Sequence, residues 1–234
     1  TFEIAYAGLE RTADGREVPA LRWADVSEQE APSTPSTGGG PFGLSSRHET
    51  VPQTGYGLAL LNDGKYGHQA HGNTLGVTLV RASYEPDNNP DEGLHQFTYS
   101  LYPHAQTWRE AGITQRAAEL NQPALAIVTD AHVGGLEPGR SWLSCESPGV
   151  LVSAVKLAED QPVHGAAVVV RLYEAHGRAA EATLKPGWLV ARAEETDMIE
   201  RSISNLDVIH SADGDQISLA FTPHEIKTIK LHTM

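Results

Sequence analysis

The run NDGKYGH, from Asn62 to His68, gathers an amide, a carboxylate, an amine, a phenol and an imidazole within seven residues. Asp63 offers a carboxylate that can accept from hydroxyls or hold Lys65. Tyr66 offers an aromatic face and a hydroxyl, while Gly64 and Gly67 let the backbone come close to a neighbour. His68 and His71 add an H-x-x-H spacing. On a turn that spacing does not fix both rings on one side, and no third ligand is specified, so it falls short of a metal site. The strand-like runs GYGLALL and TLGVTLVRA flank the segment. A hairpin tip needs only a Gly or Asn to reverse, so this one carries a surplus. Catalytic loop, binding loop and solvated tip all fit that surplus.

Other constellations are weaker. YEPDNNPDEG, Tyr84 to Gly93, groups Asp87, Asp91 and Glu92 with two asparagines, an oxygen density that suits calcium. Its spacing misses the EF-hand pattern, and Pro86 and Pro90 mark a turn-rich surface connection. There is no G-x-S-x-G elbow, P-loop or dinucleotide fingerprint. A glycosidase pair of carboxylates must stand about 5–10 Å apart across a cleft, which spacing along the chain cannot establish. Of the tryptophans, Trp108 reads as core. Trp23, Trp142 and Trp188 are less determined, with Trp188, after KPG, read as the more exposed.

These groups need a scaffold, and the pattern is that of strands. HQFTYSLYPH alternates, with Phe97, Tyr99 and Leu101 on one face and Thr98, Ser100 and Tyr102 on the other. AAVVVRLYEA is a β-branched run between Gly165 and Gly177. GVLVSAVKLAED, EATLK, DQISLAFTP and HEIKTIKL follow, divided by SPG, HGR, KPG and ADGD. DQISLAFTP and HEIKTIKL are expected to pair about Pro223, and the buried face of the second is ambiguous. One helix is expected in TWREAGITQRAAELNQP. Thr107 and Glu110 form a capping box, Pro123 stops the element, and Trp108, Ala111, Gln115 and Ala118 share a side. Gly112 weakens it by about 1 kcal/mol. A second helical turn is expected at ETDMIERS. The expected class is all-β, an antiparallel sandwich with one short helix.

Composition narrows the function. A chain of 234 residues is long enough to bury roughly 70 to 75% of its unfolded surface without staples. Its single cysteine, Cys145, excludes an internal disulfide framework and an all-Cys zinc site. A net charge of −13 disfavours nucleic acid and anionic membranes, and no apolar run approaches the length of a membrane helix. A cytoplasmic protein is expected. Ala31 to Ser46, rich in Pro, Ser, Thr and Gly, cannot build a core and reads as a flexible loop.

Six blocks then occur in a telling order: RWADVSE, GYGLALLNDGKYGHQAHGNTLGVTLVRAS, HQFTYSLYPHAQTWREAG, SWLSCESPGVLVSAVKLAED, VVVRLYEAHGRAAEATL and HEIKTIKL. Together they resemble the C-terminal region of family-38 glycoside hydrolases, the α-mannosidases, of the bacterial and cytosolic type. The resemblance runs from Trp23 to Leu231 and departs mainly at 31–54, which looks like an insertion. Where the family often has arginine before the Gly-Asn of the opening motif, this chain has His71.

The resemblance implies a large sandwich of galactose-mutarotase-like fold, with 55–234 as its main part and 1–234 as one C-terminal region. It implies retaining hydrolysis of terminal α-linked mannose by the longer enzyme. The nucleophile and the zinc ligands would lie in an N-terminal α/β-barrel outside this sequence. This chain alone is therefore expected to be inactive and without a cofactor, and its start at Thr1 is expected to be a boundary within something longer. Its partners would be its own N-terminal catalytic domain and mannose-containing oligosaccharide, with a homo-oligomer also open. On the same ground Asp63, Lys65, Tyr66 and Gly67, with Asn62 and His68 beside them, would edge the sugar pocket or else lock an interdomain contact. The alternative is a stand-alone carbohydrate-binding sandwich.

Overall fold

The computed structural model of the protein describes residues 1–27, 55–163 and 165–234. The stretch 31–54, expected as an insertion, lies outside the described residues. The chain divides into two compact units, one of Thr1–Phe2 with Arg11–Asn121 and the other of Glu3–Glu10 with Gln122–Met234. After β1 (Phe2–Ile4) and β2 (Ala7–Leu9) come β3 (Asp14–Pro19), β4 (Trp23–Ser27), β5 (Tyr56–Asn62), β6 (Gly67–His71), β7 (Thr74–Val77), β8 (Tyr99–Ala105) and α1 (Ile113–Asn121).

In the first unit β4, β5 and β8 are antiparallel neighbours in that order, and Phe2 of β1 stands opposite Ala24. β3, β6 and β7 form a second antiparallel sheet. Because side chains alternate along a strand, β4 serves two layers. Trp23, fully buried, meets Trp108 with ring centroids 4.9 Å apart and packs with Leu61, Ile113 and Ala117. Ala24 faces the other way, packing with Phe2, Ala20 and Ala70.

The alternation of β8 is present, but its faces are reversed from a simple apolar-in reading. Tyr99 and Leu101 are exposed, whereas Ser100, Tyr102 and His104 turn inward. A polar pair dictates this. Nε2 of His104 lies 2.7 Å from Oδ1 of Asp25, both side chains being almost wholly buried. Asp25 is on β4, His104 on β8, and β5 runs between them. The ring crosses β5 over Gly57, where any Cβ would collide with it.

The capping box forms, with Thr107 N donating to Glu110 Oε2 at 3.1 Å and Glu110 N to Thr107 Oγ1 at 3.4 Å. It closes a separate turn, however, and the α-helix starts only at Ile113. Gly112 between them has φ 65°, a left-handed break that shifts the phase of the helix beyond it. The buried side is therefore Ile113, Thr114 and Ala117, not Gln115 and Ala118.

The second unit holds β9 (Leu143–Glu146), β10 (Val150–Leu157), β11 (Ala167–Glu174), β12 (Ala180–Pro186), β13 (Val190–Thr196), β14 (Ser202–Leu206), β15 (Ile209–Ser211), β16 (Gly214–Phe221) and β17 (Ile226–Thr233). One sheet has the order β10-β11-β17-β13-β14 and the other β15-β16-β12-β9. Val170, Leu172, Ile229 and Leu231 from the first pack against Leu184, Ile217, Leu219 and Phe221 from the second. That is the expected sandwich. The face of β17 is settled as well: Ile229 and Leu231 join this core, while Thr228 turns away to accept from Arg171 Nε at 3.3 Å.

Two local expectations change. β16 and β17 do not pair; they lie in different sheets, so the chain arches from one layer to the other at Thr222–Glu225. Glu225 caps that arch by accepting from Thr222 N at 2.7 Å, and a left-handed His224, φ 61°, bends it. At ETDMIERS there is a tight reversal instead of a helical turn. Asp197 Oδ1 accepts from Ile199 N and Arg201 N, at 3.0 and 2.9 Å, linking β13 to β14.

Candidate functional site

The loop between β5 and β6 is organised by Asn62, which is 1% exposed. Its Oδ1 accepts from Gly64 N at 2.9 Å and from Lys65 N at 2.6 Å. Its Nδ2 donates to Leu21 O at 3.0 Å and lies 3.1 Å from Nε2 of His68. Since the two accepted amides fix which end of the side chain is oxygen, Nε2 of His68 must be the acceptor and the ring must be neutral. Burial agrees, pushing the His68 pKa below its ordinary value against an opposing contact from the Tyr66 backbone. Nδ2 of Asn121, at the end of α1, donates to Asn62 O at 2.9 Å. The loop is thus held from inside by a neutral histidine and two asparagines.

The loop presents a smaller set of groups outward than its sequence suggests. Asp63 Oδ2 accepts from Thr98 N at 2.8 Å, and this bond holds its pKa below the usual carboxylate value. Lys65 Nζ sits 5.1 Å from the centroid of the Phe97 ring, a cation–π placement. Gly67 leaves room for the Glu17 carboxylate, because a Cβ there would strike Glu17 Oε1 and force that side chain to move. Of the residues expected at a pocket edge, Asn62, His68 and Gly67 serve the loop, Asp63 and Lys65 are partly engaged, and Tyr66 is 60% exposed.

An open depression of about 440 Å³ adjoins Lys65, Tyr66 and Gly67. Its remaining polar lining comes from groups that no motif marks out: Glu17 on β3, with Thr78 and Arg81 after β7. Thr78 Oγ1 donates to Glu17 Oε1 at 2.5 Å and Arg81 donates to Oε2 at 2.8 Å. Glu17 is some sixty positions from its two partners, and only the pairing of β3 with β6 and β6 with β7 brings them together. Local sequence carries no signal of that.

His68 and His71 do not share a metal centre. His68 and His71 lie on β6, one buried and one exposed, so they point to opposite faces. Among the described residues no three His, Cys, Asp or Glu side chains group as metal ligands. Trp23 and Trp108 are core, Trp188 packs against the sandwich interior, and exposed Trp142 carries Arg140 over its ring at 4.9 Å.

Comparison with known proteins bears on what such a scaffold belongs to. Residues 1–89 match the family model described as the glycosyl hydrolases family 38 C-terminal domain, and residues 149–229 match that of the family 38 C-terminal beta sandwich domain. The chain belongs to glycosyl hydrolase family 38. Within that family it is similar to Alpha-mannosidase 2C1 of Homo sapiens, at 33% identity over 99% of this chain and 20% of the relative. It is 30% identical to Alpha-mannosidase G of Dictyostelium discoideum over 76% of this chain and 14% of that protein. The crystal structure of an alpha-mannosidase from Enterococcus faecalis V583 shares the fold, with TM-score 0.62 and 18% identity over 94% of this chain and 21% of that one. The family 38 chain thus spans about a fifth of the length of the curated relatives it matches. Among the described residues no helix is long and apolar enough to cross a membrane.

Proposed function

We propose that this chain is the non-catalytic C-terminal β-sandwich region of a zinc-dependent, retaining α-mannosidase of the cytoplasm. In this reading it braces an N-terminal catalytic domain, which holds the zinc, and the loop from Asn62 to His68 borders the mannose pocket. The longer enzyme removes terminal α-linked mannose from oligosaccharides.

The observation that carries the reading is the construction of that loop. A flexible tip would leave its amides to water. Here Asn62 and His68 fix the backbone from a buried position while Tyr66 is left bare, the arrangement of a preorganised contact surface. A second feature supports the bracing role. Residues 124–136 form no helix or strand, and Leu125, Ile127, Val128 and Val133 are almost wholly exposed. A run of bare aliphatic side chains calls for a covering partner, and the curated relatives are about five times longer than this chain.

A stand-alone sugar-binding module calls for open aromatic platforms. Of the four tryptophans only Trp142 is exposed, and Arg140 lies over its ring. The test is hydrolysis of an aryl α-mannoside, with zinc supplied, by this chain and by the longer protein containing it. Turnover confined to the longer protein is the expected result. Turnover by this chain alone, surviving repurification, overturns the proposal, and high-affinity sugar binding by this chain without turnover favours the module.

A further inference from the structure

We infer that Glu17 and Arg81, together with the ring of Tyr66, form a hydroxyl-recognising subsite for one neutral hexose unit of the substrate. The inference rests on the mannosidase reading and goes beyond it, since neither Glu17 nor Arg81 belongs to the loop that suggested a pocket edge.

The Glu17 carboxylate is set in place from both ends. Thr78 donates to one oxygen and Arg81 to the other, and the bare backbone of Gly67 gives it room to come close to β6. Each carboxylate oxygen has a second lone pair to offer. Arg81, its side chain 77% exposed, spends one nitrogen on Glu17 and keeps further N–H donors in a planar fork. Acceptor and donor side by side at fixed spacing match a vicinal diol, whose hydroxyls each donate and accept.

Charge narrows the ligand further. Glu17 and Arg81 cancel one another, and Lys65 rests against Phe97 near the Asp63 carboxylate. Within the lining Lys65 is then the one charge in excess, already engaged over Phe97, and the Glu17 carboxylate in the same depression opposes a phosphate or carboxylate ligand. Its other surface is apolar, from Val18, Pro19, Leu79 and the Tyr66 ring. A sugar ring, with a polar edge and a C–H face, answers both halves of that lining. The volume of about 440 Å³ falls within the range of small-molecule sites, roughly 300–1,000 Å³. At Gly64 a Cβ would meet nothing within 4 Å, so the rim is open to a ligand coming from solvent.

An exposed ion pair with no ligand would contribute little to stability and nothing to catalysis, which makes the inference testable. In the longer protein, Glu17→Gln, Arg81→Met and Tyr66→Ala are assayed by steady-state kinetics on an aryl α-mannoside and an α-linked mannobiose, beside thermal unfolding. Glu17→Gln and Arg81→Met are each expected to lower kcat/KM by about tenfold or more on at least one substrate, the loss of one charge-assisted contact, and Tyr66→Ala, which removes the apolar face, to lower it on the same substrate, all with the unfolding temperature unchanged. Loss on mannobiose alone places the subsite at the second sugar; loss on both places it at the sugar being cleaved. Wild-type kinetics on both substrates in all three variants overturns the subsite and leaves the mannosidase reading intact. Losses that follow a falling unfolding temperature also overturn it, by making the pair structural. No turnover of either substrate by the unmutated longer protein overturns the mannosidase reading, and the subsite with it.

Discussion

Two turns in this molecule use one device to different ends. At Asn62 a buried side-chain oxygen gathers the amides of Gly64 and Lys65. At Glu174, wholly buried at the end of β11, a carboxylate gathers those of His176, Gly177, Arg178 and His224 at 2.8 to 3.1 Å. Both belong to the blocks that carry the family resemblance, NDGKYG and RLYEAHGR. Yet Glu174 spends its charge inward on backbone, knotting a turn and the β16–β17 arch together, whereas the Asn62 loop ends with Tyr66 facing water. A distinctive motif is thus no guide to function by itself. The two differ in the group left over once internal hydrogen bonds are satisfied.

The contrast is broken most sharply at Glu174. Glu174→Ala strips the acceptor from four partly buried amides and is expected to destabilise the protein by about 3 kcal/mol or more, read from the chemical denaturation midpoint. Asn62→Ala is expected to cost less, about 1–3 kcal/mol, and to remove hydrogen-exchange protection from Gly64 and Lys65 while leaving Gly177 and Arg178 protected. Equal costs at the two sites would make the Asn62 loop as structural as the Glu174 knot, and the distinction would collapse. The smallest effect concerns protons. Burial lowers the His68 pKa from its ordinary 6.5, so the unfolded chain takes up the proton first as the pH falls. The stabilising contribution of neutral His68 is therefore complete above about pH 6.5 and is lost progressively below it. From about pH 7 to about pH 5, unfolding temperature should fall more steeply in the unmutated protein than in His68→Gln.

Much of the fold was legible because strands announce themselves by alternation. Sides and partners were less so. Alternation in β8 was plain, but an Asp–His pair whose members are far apart in sequence decided which face went inward. The capping box was readable, whereas the left-handed turn at Gly112 is a conformational choice that glycine permits and sequence does not declare. β16 and β17 look like a hairpin because they are adjacent along the chain, but their apolar faces close opposite layers of the sandwich. At the site, the Asn62 loop could be found as a surplus of polar groups in a tip. Glu17 and Arg81 could not, because each is ordinary in its own strand or loop and becomes informative only across a sheet.

The missing side chain at Gly57 also constrains history. The His104 ring occupies the place a side chain would take, so position 57 is closed to substitution while histidine stands opposite. A lineage exchanging this polar bridge for an apolar one must change His104 first and only then add a side chain at position 57. The reverse order passes through a protein whose middle strand and histidine claim the same space. One absent carbon atom thus sets the sequence of steps by which this sheet can evolve.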